Sequence, residues 1–456
     1  MSELTIRMTQ AAHTTLKAHL FPGDRLEASA LMLCKVARAK RTKYLVRELM
    51  LVPHDACQRQ RDALTWPGEY VEQALAKAEE EGLAVIAAHS HPGGLLGFSA
   101  ADDASDTDLM PAMAWRKDCA PGSAIMTGGG EMRVRIYEGT KARPALVLIA
   151  GHDIAVHGDA FAKAVLPFTS EMTERLGAMT ACVVGVSGTG SIVAEQLGRL
   201  GFGEIILIDF DHVEKRNLNR ILNSRVADLG QRKVDMFAAA IRSYRPDCQV
   251  HVVPRALSDR DAILAASDAD VLFCCVDTDE GRQLADRTAS AFLIPLVDMG
   301  VSIPTRRDAA GAPQVIEVCG RVDYVFPGSS TLSDRGVYTP ASLEAEYLKK
   351  HAPRSHATRM AEGYIKGVIE EAPAVIALNM RAASAAVMEF IARAFPFRHE
   401  PNENFARAIF LLAEGCEERT AESAFDRTEN VLLGCGDERP LLGLPALETP
   451  MQSIAR

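Results

Sequence analysis

The chain has 456 residues, 48% of them hydrophobic and 24% charged, with a formal net charge of −10. That length accommodates two or three domains, and the composition is that of a globular protein. The negative balance makes nucleic acid and anionic membrane poor primary partners, and no apolar run approaches the ~18 residues of a membrane span. The N-terminus lacks a basic stretch followed by an apolar core, so no signal peptide is expected. The ten cysteines are scattered, with no Cys-x-x-Cys pair. That argues against a disulfide framework or a four-cysteine zinc site and fits a reducing cytoplasm.

In chain order, an N-terminal helix leads into an apolar run from Arg25 to Cys34 that reads as the first strand, with Glu27 near its start. The next strand, around Tyr44 to Pro53, carries Glu48, and the acidic run Glu79-Glu-Glu81 reads as the solvated end of a helix. Next comes the most chemically loaded window, His89-Ser-His91-Pro-Gly-Gly-Leu-Leu-Gly-Phe-Ser99-Ala-Ala-Asp102. Histidines two apart on a strand share one face, because side chains alternate. Asp102, after a Gly-rich turn, can swing back to join them. Two histidines and one aspartate with an open fourth position are the usual form of a catalytic zinc site, where the pKa of water falls to about 7. A plainer reading stands beside this one: Ser99-x-x-Asp102 is also a helix N-cap with an acidic first turn.

This window resembles the JAMM signature of JAB-type metalloproteases, which is His-x-His, seven residues, Ser, two residues, Asp. The resemblance implies zinc ligation by His89, His91 and Asp102, and an oxyanion-stabilising hydroxyl on Ser99. It also implies an upstream glutamate as general base. Glu27 matches that position best, Glu48 is the runner-up and Glu81 comes last. The substrates so implied are peptide or isopeptide bonds at the C-termini of ubiquitin-like proteins.

Gly128-Gly-Gly130 reads as a hairpin turn before a strand from Met132 to Tyr137. The stretch Glu138 to Pro144 is expected to close the first domain loosely, which places this domain at about 1–150. A second domain is expected over 165–396, with a polar insertion at about 331–370, followed by a C-terminal extension over 397–456.

The second domain opens with a strand running into Gly185-Val-Ser-Gly188-Thr-Gly190-Ser191, then a helix from Ile192 to Leu200, then a strand from Glu204 to Asp209. Glycines in such a turn allow close backbone approach to phosphate, and the helix N-terminus adds partial positive charge. Asp209, at a strand end, can bind ribose hydroxyls. The residues beyond it favour ATP over NAD: Asp211, Asn217, Arg220 and Lys233 include cations that suit attack on a phosphate, where charge must be neutralised. A buried strand ending at Asp277, with Arg282 beyond it, offers a carboxylate for magnesium.

The ordered set resembles the ThiF/MoeB-like adenylation domain of ubiquitin-activating enzymes. By that resemblance Gly185, Gly188 and Gly190 cradle phosphate and Asp209 holds ribose. Asn217, Arg220 and Lys233 contact the nucleotide, Asp277 binds magnesium, and Asp211 and Arg282 are weaker transfers. Relatives commonly carry a Cys-x-x-Cys pair after this region. Here Ser329-Ser-Thr331 stands in its place, and no nucleophilic cysteine can be named. The helix Ala341–Lys350 lies in the insertion. The helix from Ala372 to Ile391 is either a core helix or, by the resemblance, a homodimer contact.

Altogether the sequence implies an α/β chain: a JAB/MPN-type mixed α/β domain followed by a Rossmann-like adenylation domain with a parallel-rich sheet. The implied cofactors are zinc, ATP and magnesium. The implied partners are a ubiquitin-like protein with a C-terminal glycine and a separate conjugating enzyme, as in bacterial ubiquitin-like conjugation systems. Three alternatives stay open: trimming and activation of a sulfur carrier in cofactor or cysteine biosynthesis, a JAMM half that serves only as a docking scaffold, and a nicotinamide dehydrogenase.

Overall fold

The computed structural model describes residues 3–158, 161, 165–308, 310–353 and 375–448. They divide into two units. The first is Met1–Val165 with Ser290–Ile294 and Asn430–Arg456, and the second is Leu166–Ala289 with Pro295–Glu429.

The first unit runs β1 (Leu4–Thr9), α1 (Gln10–Leu20), β2 (Ser29–Arg38), β3 (Thr42–Leu51), a small hairpin of β4 (Gln58–Arg59) and β5 (Leu64–Thr65), and α2 (Glu69–Glu81). It continues with β6 (Ala84–His91), α3 (Ala100–Met113), β7 (Gly122–Thr127), β8 (Met132–Glu138), β9 (Lys141–Ala150) and β10 (Ile154–His157). Its sheet has the order β1-β3-β2-β6-β7-β8-β9-β10, and β1 also pairs in parallel with β9, Thr5 opposite Leu146.

Alternation along the central strands builds a core on each face of the sheet. Met32 of β2 and Ile86 and Ala88 of β6 pack with Leu16 and Leu20 of α1. Leu31 and Leu33 of β2 and Val85 and Ala87 of β6 pack with Val71 and Ala74 of α2 and Met110 and Met113 of α3. Continuing the odd-numbered series along β6 puts His89 and His91 on the face that α3 covers.

The stretch Glu138 to Pro144 is not the loose closure its composition suggests. It turns tightly through Gly139, at φ 64°, into β9, with Glu138 opposite Lys141. Glycine supplies the left-handed backbone that lets the strand continue as a hairpin.

The second unit contains α4 (Ser170–Leu176), β11 (Thr180–Val184), α5 (Gly188–Leu200), β12 (Glu204–Ile208), α6 (Lys233–Tyr244), β13 (Gln249–Val253), α7 (Arg260–Ala266), β14 (Val271–Cys274), α8 (Asp279–Ala291) and β15 (Leu296–Ser302). After these come β16 (Thr305–Arg307), β17 (Pro313–Val315), β18 (Cys319–Val325), α9 (Pro340–His351), α10 (Ile376–Ala394), β19 (Arg407–Leu411) and β20 (Cys416–Thr420). The sheet order is β13-β12-β11-β14-β15-β18-β19-β20. The first five strands are parallel and the last three antiparallel. β11, β12 and β14 are buried along their whole length, as parallel strands covered on both faces must be. The strand order reverses between β11 and β14, and the crevice at their carboxyl ends is where such sheets bind ligands.

α10 is a core helix: Leu378, Ala382, Ala386 and Phe390 are buried, and the Phe390 ring lies 5.5 Å from Phe202 and 6.1 Å from Phe273. Residues 354–374, the end of the expected insertion and the first turn of the expected long helix, lie outside the described residues. The expected extension over 397–456 divides: β19 and β20 complete the second sheet, and the chain from Asn430 counts with the first unit. Within that unit Glu438 pairs with Lys35 and Arg47.

Candidate functional site

In the first unit β6 delivers the two histidines. It sits between β2 and β7, with His89 opposite Ser29 on one side and Ile125 on the other. α3 delivers Asp102. Ser99 caps that helix: its Oγ accepts from the Asp102 N–H at 3.2 Å, and its own N–H donates to Asp102 Oδ2 at 2.6 Å. The cap is therefore compatible with the ligand reading, because this reciprocal box aims the Asp102 carboxylate back at β6.

Three potential ligand atoms converge. His89 Nε2 is 3.0 Å from Asp102 Oδ1, His91 Nε2 is 3.4 Å from Asp102 Oδ2, and the two Nε2 atoms are 3.0 Å apart. Among the described residues this is the one cluster of histidine, cysteine or acidic side chains able to hold a metal. With zinc bonds of about 2.0–2.1 Å, a tetrahedral site has ligand atoms about 3.3 Å apart. The observed separations fit it. So does the donor chemistry: His91 Nδ1 lies 2.8 Å from the Leu95 carbonyl, so Nδ1 carries the proton and Nε2 presents its lone pair. Asp102 is mostly buried; the hydrogen bonds to His89, His91 and the Ser99 N–H outweigh that burial and hold its carboxyl well below the usual range. The His91 imidazole moves the other way: burial lowers it, but Asp102 and Leu95 raise it above its ordinary value.

Glu27 lies just ahead of β2 and is buried. Its N–H donates to Gln60 O at 2.8 Å, and its carbonyl accepts from Arg59 Nε at 2.7 Å. The next residue binds the histidine strand directly: Ala28 N–H donates to Ser90 Oγ at 2.8 Å, and Ser90 N–H to Ala28 O at 3.0 Å. Burial raises the Glu27 carboxyl above its ordinary value, opposed by the nearby His89 and His91. Glu48 is elsewhere, paired with Lys77 at 2.5 Å, and Glu81 ends α2 beside the same lysine.

In the second unit the glycines do steric work. Gly185 has φ 85°, and a Cβ there would meet Cys275 O at 3.0 Å. A Cβ on Gly190 would collide with the Gly185 carbonyl oxygen, and one on Gly188 with the Asn379 amide. Only glycine lets α5 start this close to β11. The helix begins at Gly188, earlier than the sequence pattern places it.

Asp209 is buried beneath this loop and braces it: Oδ2 accepts from Val186 N–H and Oδ1 from Asp211 N–H, each at 2.8 Å. Burial pushes its carboxyl up, against the pull of Lys233. Lys233 opens α6 and holds Asp211 Oδ2 at 2.7 Å. Arg220 runs beside the start of α5, its Cδ 3.6 Å from where a Gly188 Cβ would sit. Asn217 is buried, and its Oδ1 is used in accepting the Glu214 N–H at 3.0 Å. Asp277 is exposed just past the end of β14.

Arg282 is half-buried. It donates to Asp298 Oδ2 at 2.6 Å and to Val276 O at 2.9 Å, so it fixes the loop that carries Asp277. Asp298 also accepts from Arg321 at 2.6 Å, and Arg321, Arg335 and Arg407 all bind the buried Asp323. The sequence reading missed this cluster. Its signal was a lone acid in the apolar strand Leu296-Val-Asp298-Met, since a buried charge requires a partner.

The comparisons with known proteins cover both units. The model of the ThiF family matches residues 161–410, and the model of prokaryotic homologs of the JAB domain matches residues 9–137. The tRNA threonylcarbamoyladenosine dehydratase of Bacillus subtilis (strain 168) is 41% identical over 90 residues, 20% of this chain and 35% of that enzyme. Ubiquitin-like modifier-activating enzyme 5 of Bombyx mori is 29% identical over 168 residues, 34% of this chain and 39% of that enzyme. The chain thus spans well under half the length of these relatives. Among solved structures, E. coli MccB with ATP superposes with a TM-score of 0.43 at 16% identity, covering 58% of this chain and 69% of that one.

Proposed function

Because the chain belongs to the ThiF family and carries a JAB domain ahead of that region, we propose that it is a bifunctional enzyme of a ubiquitin-like system. One site would hydrolyse peptide or isopeptide bonds at the C-terminus of a ubiquitin-like protein. The other would adenylate the C-terminal glycine. The observation that carries the reading is the convergence of His89, His91 and Asp102 at the separations of a tetrahedral zinc.

Zinc bound there would polarise the scissile carbonyl and acidify water. Glu27, beside the histidines, would take the proton of the attacking water and hand it to the leaving amine. Ser99 Oγ accepts the Asp102 N–H and keeps its own hydroxyl proton, which it would donate to the oxyanion.

In adenylation the glycine carboxylate attacks the α-phosphorus of ATP. A carboxyl O–P bond forms, the bond to the β-phosphate oxygen breaks, and pyrophosphate leaves. The Gly185–Gly190 loop and the start of α5 would face the phosphates. Arg220 and Lys233 would offset their charge, with Asn217 and Asp211 at the nucleotide, and Asp209 would take ribose on lone pairs its backbone bonds leave free. Asp277 offers the oxygen donor magnesium prefers, most of whose ligands would be phosphate and water.

All ten thiols of the chain titrate above their ordinary values, with burial the leading cause at the nine that are not exposed and neighbouring glutamates acting on the exposed Cys416. That disfavours a thioester on this chain. The acyl group would pass to a thiol of a separate conjugating enzyme, or to a sulfur donor if the substrate is a sulfur carrier. The mass of the product, a lysine conjugate or a thiocarboxylate, separates the two.

The test is a ubiquitin-like protein extended beyond its Gly-Gly, incubated with ATP. The wild type should trim and then adenylate it. His89→Ala should leave it extended, and Asp277→Ala should leave it trimmed but without pyrophosphate release. Unchanged trimming by His89→Ala would overturn the peptidase half, and unchanged pyrophosphate release by Asp277→Ala the magnesium assignment.

A further inference from the structure

The helix that brings Asp102 to the histidines is fixed from outside the metal centre. The buried apolar anchors of α3, Met110 and Met113, lie in its C-terminal half. The connection from His91 to Ser99 contains Gly93, Gly94 and Gly97, where an added Cβ would meet nothing within 4 Å. At these three positions the connection runs through open space.

The N-terminal half of α3 is tied instead by Arg135 of β8. Its Nε and Nη2 donate to Asp106 Oδ2 at 2.9 and 2.6 Å, and its Nη1 donates to Asp103 Oδ1 at 2.5 Å. Tyr137, on the same face of β8, donates its hydroxyl to Asp106 Oδ2 at 2.8 Å. The guanidinium also lies 3.8 Å from the ring centroid of Phe98, the residue before Ser99. One rigid, planar cation thus grips the chain on both sides of Asp102. Asp106 is buried, so its carboxylate needs this charge.

We propose that Arg135 is a positioning residue for the metal centre: by clamping Phe98, Asp103 and Asp106 it holds the Asp102 carboxylate at ligand distance from His89 and His91. This rests on the metal-centre reading above. Metal ligands tolerate displacements of only about 0.2 Å, and a planar fork fixes geometry in a way a flexible ammonium cannot.

The test is zinc affinity of the full chain, by competition with a chromophoric chelator, for wild type, Arg135→Met, Arg135→Lys and Asp106→Asn. Circular dichroism and melting monitor the fold. Arg135→Met should bind zinc about 10–100-fold more weakly, the range of losses for orienting partners of metal ligands. Arg135→Lys should fall between it and wild type, and saturating zinc should not restore full kcat. Should Arg135→Met not fold, Arg135→Lys and the near-isosteric Asp106→Asn carry the test. Folded variants with wild-type zinc affinity and kcat would overturn the clamp alone. A wild type with no His89-dependent zinc would overturn the metal-centre reading, and the clamp with it.

Discussion

His91 Nδ1 lies 2.8 Å from the carbonyl oxygen of Leu95. A carbonyl only accepts, so this contact fixes the tautomer and turns the Nε2 lone pair toward His89 and Asp102. The Gly-rich turn after β6 therefore orients a candidate ligand as well as returning the chain.

Asp102→Asn is the mildest change that tests the charge at this point. It keeps the volume but removes the carboxylate that faces both Nε2 atoms. Zinc affinity is expected to fall by more than about 100-fold, beyond the loss typical of an outer partner, as read by chelator competition. Wild-type affinity in this variant would remove Asp102 from the ligand set.

Glu27→Gln separates metal binding from proton transfer. The variant should keep its zinc and lose about 10²–10⁴ in the rate of cleaving an extended ubiquitin-like protein. Glu48→Gln should cleave at the wild-type rate, because Glu48 is paired with Lys77. If the two variants exchanged behaviour, the base assignment would move to Glu48.

The site was legible where its parts are close in sequence. His89, His91, Ser99 and Asp102 fall within one strand, one turn and one helix start, so alternation and capping rules reach all four. The position of Glu27 near the histidine strand was legible less directly, from its place before the strand that pairs with β6. What could not be read depends on distant partners. Nothing local in Leu4–Thr9 announces a strand that pairs in parallel with β9, and nothing around Arg135 announces Asp106. Arg282 stands out in the sequence only by its place beyond Asp277, and nothing local announces its partner Asp298, which arrives from another strand. In the second unit the parallel strands were legible because burial on both faces leaves continuous apolar runs. The bracing of the Gly-rich loop by Asp209 was not.

Gly190→Ala should disable the second site without touching the first. The new methyl collides with the Gly185 carbonyl, which is backbone and cannot rotate away. The start of α5 must shift, and binding of an ATP analogue should fall at least about tenfold, a cost of ~1.4 kcal/mol, while zinc content stays unchanged. Normal nucleotide binding would mean the loop does not approach phosphate as proposed.

Asp286 gives the second unit a pH signature. It is buried in α8, where Oδ2 accepts from the Tyr338 hydroxyl at 2.9 Å and the Leu332 N–H at 3.0 Å. Burial raises its carboxyl to about 7, against these bonds and the charge of Arg335. The unfolded chain releases the same proton near pH ~4. The native state therefore holds a proton that the unfolded state lacks between these values. The contribution is complete below about pH 4 and is lost as pH rises through about 7. The stability of wild type relative to Asp286→Asn should fall by up to about 1.4 kcal/mol per pH unit between pH 5 and 7, measured by denaturant unfolding. Parallel stability curves would refute the assignment.

The most direct test of the metal centre is the zinc content per chain of the purified protein after exhaustive dialysis, compared with His89→Ala. One zinc per chain in the wild type and none in the folded variant is the predicted result. A wild type that retains no zinc, or a variant that retains it fully, would contradict the assignment of His89, His91 and Asp102 as its ligands.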